Sequence, residues 1–470
     1  MIIAFLIFAA GTANAQWLAS DIYDVPLPQV LNQIKERYGV ELRYEERHMR
    51  DRIVLRAPWR FYANVEDTLN NVLFPLDIRW RKIRDGVYEV RRWDYFSKPH
   101  AEGEAHLREL LTAYPNLEAW NARRANLRSH MMETMGLVGL KKSPLNPVVS
   151  AKREFDGYTV QNIGLEVLPG VWVTGLLYKP ASFEGNIPLF LSPHGHFGGN
   201  DINEFGRFRP DQQLRCAMLA RMGVAVFSYG NFAWDESGLA FGGRGLRADL
   251  HRTDLGLIMQ TWFAIRILDY LFEQPWADTT RVGVTGASGG GSQAMFITAI
   301  DDRITLSVPV VMMASHFFGG CPCESGLPIH FPTEGLPSNP AEIAAMAAPR
   351  PQLFVSVCND WTVTTPDIEM PYMKQIYGLF GKADMVENVH LTGEDHDYGI
   401  NKRTALYDFV AKHFGLDAAA LKNSAGEWDE SRVTIEPAEA MFVFPSGELP
   451  PHAVRGGDNL RGLLRTHREN

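Results

Sequence analysis

The stretch RVGVTGASGGGSQ, residues 281–293, decides the fold of the chain around it. Taken as Thr285-Gly286, three residues and Gly290, it imitates the glycine-rich turn that holds a dinucleotide pyrophosphate. Taken as G-x-S-x-G around Ser288, it is a nucleophile elbow. Both motifs follow a buried strand and begin a helix, so the choice depends on what the rest of the chain supplies.

The dinucleotide hypothesis draws support from Tyr398 and Lys402, which match the Y-x-x-x-K pair of short-chain dehydrogenases. Three features oppose it. Ser292 takes the place of the third glycine, Gly399 interrupts the helix that the pair needs, and the turn lies about 130 residues into its domain instead of after the first strand. The sequence therefore favours the elbow.

An elbow serine needs a base to accept its proton, an acid to orient that base, and N–H donors for the oxyanion. Asp360 follows the apolar run PQLFVSVC, and His396 follows VENVHLTG. The chain order serine, acid, histidine is that of the α/β-hydrolases. We therefore predict Ser288, Asp360 and His396 as the catalytic residues, with Glu324 as the alternative acid.

Two main-chain amides are candidates for the oxyanion hole. Gly289 directly follows the serine at a helix N-terminus, and His196 lies in HGHFGG after the strand IPLFLSP. The rival hypothesis for this loop is a zinc site on His194 and His196. It lacks a nearby carboxylate at ligand spacing, so we predict neither a metal nor a cofactor.

The spacing of apolar runs predicts the organisation of the chain. From residue 151 to 415, antiparallel strands precede short apolar runs separated by helices, which is typical of a mostly parallel sheet with helices on both faces. Residues 22–92 alternate short strands and amphipathic helices and predict a small α+β domain. Residues 93–150 are a predicted helical linker, and residues 416–470 a C-terminal extension with one strand-like patch, VTIEPAEAMFVF.

The net charge of the chain bears on its partners, and its N-terminal sequence bears on its location. A formal charge of -9 without a long basic run disfavours a nucleic-acid partner. The apolar segment MIIAFLIFAAGTANAQ predicts a signal peptide over residues 1–15, or alternatively an uncleaved anchor, and hence a periplasmic or extracellular location. Cys321 and Cys323, in CPCES, are expected to be ordinary thiols. A strained disulfide and a contribution to a metal site are the less favoured alternatives.

The stretch from about 120 to 415 resembles the acetyl xylan esterase-like branch of the α/β-hydrolases in PHGHFGG, HRTDLGLIMQTWFAIRILDYL, RVGVTGASGGGSQ, NDWTVTTP and GEDHDYG. The resemblance implies Ser288 as nucleophile, Asp360 as acid, His396 as base and an acetylated xylan-type carbohydrate as substrate. Glucuronoyl esterases carry Arg directly after the nucleophile, and Gly289 at that position disfavours their substrate. An esterase for another ester, such as a glucuronoyl ester, nevertheless stays an alternative function. The alternative from another class is a non-catalytic carbohydrate-binding envelope protein, which the complete triad disfavours.

Several side chains near strand ends are candidates for substrate contact. Aromatic rings stack on sugars, although buried packing is their commoner role; the candidates are Phe197, Trp234, Phe317, Phe318 and Trp361. Asp235 and Glu236 are expected either to bond substrate at the pocket rim or to be solvated loop charges.

Residues 22–92 resemble the short N-terminal domain of secretins and TonB-dependent receptors in VPLPQVLNQI, YGVELRYE, VEDTLNNVL and DGVYEV. The resemblance implies that this domain binds another envelope component and carries no chemistry of its own.

Overall fold

The structure is a computed structural model that describes residues 24–46, 49–50, 52–73, 76, 78–92, 97–198, 201–319, 321–324 and 337–468. The predicted signal peptide lies outside these residues. The chain forms two compact units that divide between Phe96 and Ser97.

The N-terminal unit is a small α+β fold. Its elements are β1 (Val25–Pro26), α1 (Leu27–Tyr38), β2 (Glu41–Arg43), β3 (Ile53–Val54), α2 (Val65–Leu73), β4 (Ile78–Arg84) and β5 (Val87–Arg92). Strands β2, β5 and β4 form a sheet in that order, while β1 pairs with β3. Helix α1 buries one face at helical spacing, made of Leu27, Val30, Leu31 and Ile34. Gly39 ends it in the left-handed conformation that glycine adopts most easily.

The second unit alternates strands and helices along the chain. It begins with α3 (His100–Ala113), α4 (Leu117–Thr134), β6 (Val148–Val149), β7 (Arg153–Phe155), β8 (Tyr158–Leu168), β9 (Val171–Pro180) and β10 (Ile187–Pro193). It continues with α5 (Pro210–Arg221), β11 (Ala225–Tyr229), α6 (Ala248–His251), α7 (Asp254–Phe272), β12 (Ala277–Ala287), α8 (Gly289–Ile300) and β13 (Leu306–Val310). The last elements are α9 (Pro340–Ala345), β14 (Gln352–Val357), α10 (Met370–Leu379), β15 (Val386–Leu391), α11 (Ile400–Phe414) and α12 (Gly457–Thr466).

Ten strands of this unit form one sheet in the order β15-β14-β13-β12-β10-β11-β9-β8-β6, with β7 paired to β8. Strands β10 to β15 run parallel, and β6 to β9 are antiparallel to their neighbours. Every residue of β10, β11, β13 and β14 is buried, as expected where helices cover both faces of a parallel sheet. The predicted α/β-hydrolase fold is confirmed.

Residues 97–150 are an integral part of the second unit. Helix α4 buries Trp120 and Leu127, and Arg123 pairs with the fully buried Glu342 at 2.7 Å. The hydroxyl groups of Tyr114 and Tyr372 lie 2.5 Å apart in the interior. Helices α3 and α4 therefore cover the hydrolase core.

The C-terminal residues pack against the same core. Ala438 and Met441 are fully buried, and residues 438–441 form a 3-10 turn in place of the predicted strand. The reason is that side chains satisfy the backbone here: Glu236 accepts from the amides of Val443 and Phe444, each at 2.8 Å. No neighbouring strand is needed to bond these amides.

Asp235 and Glu236 correct the sequence prediction, because both are fully buried. They pair with the buried Arg207 at 3.2 and 2.6 Å, and burial raises the pKa of Asp235 to about 6. Neither residue is a solvated loop charge, and both carboxylates are bonded inside the protein. They hold the fold together beneath the strand ends.

One helix in the described part of the chain has the length and apolar composition of a membrane span, Leu255–Phe272 within α7. Since 78% of that stretch is buried inside the fold, it belongs to the core, where it packs beside the sheet.

Candidate active site

Ser288 lies on a sharp turn between β12 and α8. Its backbone has φ 55° and ψ -122°, a conformation that non-glycine residues rarely adopt and that marks functional sites. The amide of Ser288 donates to the carbonyl of Val310, and the amide of Ser292 donates to the carbonyl of Ser288, both at 3.0 Å. The turn is thus held from both sides, and the residue is 6% exposed.

The glycines of the elbow are required by close backbone contacts. A Cβ on Gly286 would lie 2.5 Å from the carbonyl carbon of Gly290, and one on Gly290 would lie 2.5 Å from the carbonyl oxygen of Pro193. Both distances are below van der Waals contact with backbone that cannot move aside. The G-x-S-x-G spacing follows from this packing and not from flexibility.

His396 and Asp360 form a hydrogen-bonded pair on the loops after β15 and β14. Nδ1 of His396 lies 2.6 Å from Oδ2 of Asp360. The other carboxylate oxygen accepts from the amide and hydroxyl of Thr362 at 2.6 and 2.5 Å. The Asp360 side chain is 3% exposed and that of His396 is 24% exposed. A fixed, buried carboxylate therefore orients a ring that solvent can reach.

The three predicted triad residues follow strands β12, β14 and β15, whose carboxyl ends share one edge of the sheet. Contacts connect them: the Trp361 ring lies 4.5 Å from the His396 ring, and its Nε1 donates to the carbonyl of Met312 at 3.3 Å. A Cβ on Gly291, in the first turn of α8, would meet the Met312 side chain at 2.8 Å. The elbow and the histidine loop are thus joined through two side chains.

The loop after β10 also reaches the elbow. A Cβ on Gly195 would overlap the carbonyl oxygen of Ala287, and a Cβ on Gly289 would lie 2.6 Å from Cε1 of His196. The imidazole of His196 therefore occupies the space that a side chain after Ser288 would need. This contact gives a physical reason for glycine at position 289.

His194 and Tyr398 have structural roles. The fully buried His194 ring accepts from the amide of Asn231 at 3.1 Å, and burial lowers its pKa to about 3. Tyr398 bonds the hydroxyl of Thr285 at 2.7 Å, while Lys402 pairs with Glu394 and Asp397, each at 2.7 Å. These contacts account for His194 of the zinc hypothesis and for both residues of the dehydrogenase hypothesis.

Glu324 contacts a histidine other than His396. Its Oε1 lies 2.9 Å from Nδ1 of His196, and Nε2 of that ring lies 2.8 Å from Nε2 of His251. Cys321 and Cys323 lie beside this pair and are joined as a disulfide, whereas separate thiols were expected. The sequence hypothesis missed His251 because its partners come from distant segments, without any short ligand spacing.

The five aromatic candidates separate into two groups. Phe197 and Trp361 lie 5.9 and 4.5 Å from the His396 ring, and Phe317 stacks on Trp361 at 3.9 Å. Trp234 and Phe318 are each 3% exposed, and Trp234 packs on the rings of His194 and His196. Only the first group is placed to contact a substrate, and the second is core.

Comparison with known proteins adds four relationships. A family model described as glucuronyl esterase of fungi matches residues 213–319. The solved structure of Methylesterase BT1017 is 41% identical, with a TM-score of 0.72 over 93% of this chain and 95% of that one. YtaP of Bacillus subtilis (strain 168), described as a hydrolase, is 26% identical over 218 residues, 44% of this chain and 72% of that protein. The 4-O-methyl-glucuronoyl methylesterase 1 of Wolfiporia cocos (strain MD-104) is 31% identical over 165 residues, 28% of this chain and 40% of that protein.

The fold and these relationships define a carboxylic ester hydrolase of the α/β-hydrolase kind, whose relatives include carbohydrate esterases. Because the identity to Methylesterase BT1017 extends over nearly the whole of both chains, the protein belongs to the same family as that enzyme.

Proposed function

We propose that this protein is a serine esterase that hydrolyses a uronic acid methyl ester of a carbohydrate. The observation that carries the chemistry is the strained Ser288 elbow together with the 2.6 Å pair of His396 and Asp360, which follow strands of the same sheet. The substrate class is supported by relatives named methylesterase and glucuronoyl methylesterase. The acetyl ester expected from the sequence resemblance is the competing substrate.

The reaction proceeds in two acyl-transfer steps. His396 takes the proton of Ser288 as the hydroxyl attacks the ester carbonyl, and the main-chain amides of Gly289 and His196 hold the oxyanion. The alcohol, methanol in the proposed substrate, leaves with the proton from His396. Water then attacks the acyl-enzyme in the same way and releases the uronic acid. Asp360 holds the imidazole in the tautomer that this proton transfer requires.

The two candidate esters differ in which fragment remains on the enzyme. In a uronate methyl ester the sugar is the acyl group, so its ring lies on the Ser288 side and only a methyl group occupies the leaving-group side. In an acetyl ester these positions are reversed. The stacked Phe317 and Trp361 beside His396 offer an aromatic surface to whichever side carries the sugar.

The test compares methanol release from the methyl ester of glucuronic acid with acetate release from acetylated xylan, using the same preparation of the chain. Ser288→Ala is the matched inactive control. The proposal expects methanol release that Ser288→Ala abolishes, and acetate release at least tenfold slower, a difference of about 1.4 kcal/mol in the barrier. Acetate release as the faster reaction would restore the acetyl ester as substrate.

A chromogenic short-chain ester separates failure of the substrate class from failure of the mechanism. Turnover of this ester with neither natural substrate hydrolysed would reject both carbohydrates and keep the serine mechanism. A folded chain that hydrolyses none of the three would instead favour the non-catalytic carbohydrate-binding protein.

We propose further that the chain is exported and that its N-terminal unit binds an envelope protein. In support, the unit has a core of its own, and residues 53–62 expose four large apolar side chains: Ile53, Leu55, Trp59 and Tyr62. Such exposure is typical of interaction surfaces. Mass spectrometry of the chain recovered from the host envelope tests export, because it should begin at Gln16. A chain that retains its first residues in the cytoplasm would contradict the proposal.

A further inference from the structure

Four side chains that are potential metal ligands converge beside the oxyanion loop. They are His196 after β10, His251 at the end of α6, and Cys321 and Cys323 after β13. One ligand atom from each lies within 4.8 Å of the others, and all but His196 are buried. Two imidazoles and two sulfurs in a tight group are the ligand set of closed four-coordinate zinc sites.

The orientation of the two imidazoles is the second observation. Nδ1 of His196 faces Oε1 of Glu324 at 2.9 Å, and Nδ1 of His251 faces the carbonyl oxygen of Phe232 at 2.6 Å. Because a carboxylate and a carbonyl both accept, each ring donates from Nδ1 and keeps its lone pair on Nε2. Metal-ligating histidines in proteins are fixed in this way by the oxygen behind them.

The two Nε2 lone pairs point into the same space. Nε2 of His196 lies 2.8 Å from Nε2 of His251 and 3.4 Å from Sγ of Cys323. Lone pairs at that separation repel each other unless a positive charge lies between them. A proton shared between the two Nε2 atoms would bond only these nitrogens. A divalent cation would bind both nitrogens and both sulfurs.

We propose that His196, His251, Cys321 and Cys323 bind one zinc-like divalent ion. In this form the cysteines are thiolates, so binding to the reduced chain forms two metal–nitrogen and two metal–sulfur bonds and releases two thiol protons to solvent. The disulfide between the same sulfurs is the alternative state and excludes the ion. With four protein ligands the site has no open position, so the ion positions residues and does not activate water.

The consequence for the enzyme is the placement of His196. Its ring lies against Gly289, and its amide is one of the oxyanion donors in the proposed mechanism. An ion that fixes the ring fixes the main chain of the same residue. This consequence rests on the proposed function, whereas the binding of the ion does not.

The test is metal binding by the full chain, purified with reductant and stripped by a chelator. Titration with Co²⁺ should give one equivalent, the visible bands of tetrahedral cobalt and a near-ultraviolet thiolate-to-cobalt band, and Zn²⁺ should displace both. The Cys321→Ser/Cys323→Ser double variant should lose the thiolate band. His251→Gln, which keeps both thiols, should bind at least a hundredfold more weakly.

The matched control is Cys358→Ser, because the exposed Cys358 lies 3.3 Å from His390 in a second cysteine–histidine contact. This variant should bind cobalt as the wild type does. A folded, reduced wild type that gives no cobalt spectrum would overturn the proposal, as would a spectrum lost in Cys358→Ser. These readouts do not involve ester hydrolysis, so they stand or fall independently of the proposed function.

Discussion

Two hydrogen-bonded histidine–carboxylate pairs near the elbow are built almost alike. Asp360 and Glu324 are 3% and 4% exposed, and each contacts Nδ1 of a histidine whose side chain is 24% or 22% exposed. The difference lies around each ring. His196 faces His251 and Cys323, whereas His396 lies between the aromatic rings of Phe197 and Trp361. A buried carboxylate bonded to Nδ1 of a histidine can therefore support proton transfer in one surrounding and hold the ring in place in another.

The largest expected effect is on kcat/KM, and it differs between substitutions of His396 and His196. His396→Gln should lower kcat/KM for a chromogenic ester by about 10⁵-fold, because no base remains for the serine proton. His196→Gln should lower it by about 10²-fold, since it disturbs one oxyanion donor. Steady-state kinetics of both variants, with circular dichroism to verify folding, checks the order. Equal losses would show that the two rings have one role.

The second prediction separates the two acids. Asp360→Asn should lower kcat by about 10⁴-fold, because the amide stabilises the wrong tautomer of the imidazole. Glu324→Gln should cost less than about tenfold with zinc in excess, and should weaken cobalt binding by about 10–100-fold. If Glu324→Gln lost as much activity as Asp360→Asn and bound cobalt normally, Glu324 would be the acid.

The third prediction concerns the space that His196 fills. In Gly289→Ala the new methyl group would lie 2.6 Å from Cε1 of His196, so the ring must shift away. We expect kcat to fall by about 30-fold, with KM little changed, since the cost falls on an oxyanion donor. Gly378→Ala, where nothing lies within 4 Å of the added Cβ, is the control and should retain full activity.

The smallest effect should come from the aromatic side of His396. Trp361→Phe keeps a ring against the imidazole but loses the 3.3 Å bond from Nε1 to Met312. One neutral hydrogen bond contributes about 1 kcal/mol, so kcat/KM should fall about fivefold. The control Trp428→Phe, in the C-terminal segment, should leave kcat/KM unchanged. A loss beyond a hundredfold would mean that Trp361 does more than position the ring.

The sequence predicted the fold because its apolar runs have the length and spacing of buried parallel strands, and the elbow has fixed glycine positions. The positions of Asp360 and His396 after successive strands identified them as candidates. The partner of Glu324 could not be predicted, because the contact with His196 depends on how the segment after β13 folds back. His251 could not be predicted as a partner of His196 either, because the two residues come from distant segments without a short ligand spacing. Burial of Asp235 and Glu236 was missed because their cation, Arg207, lies outside any local motif.

Arg207 also joins segments that leave the ribosome at different times. Its guanidinium bonds Asp235, Glu236 and the carbonyl of Met441, all in the interior. Glu236 in turn accepts from the amides of Val443 and Phe444. During synthesis the ribosome holds these C-terminal residues back until the sheet and the elbow have already emerged. The charge cluster of the nascent unit therefore stays partly satisfied until residues 441–444 have left the ribosome.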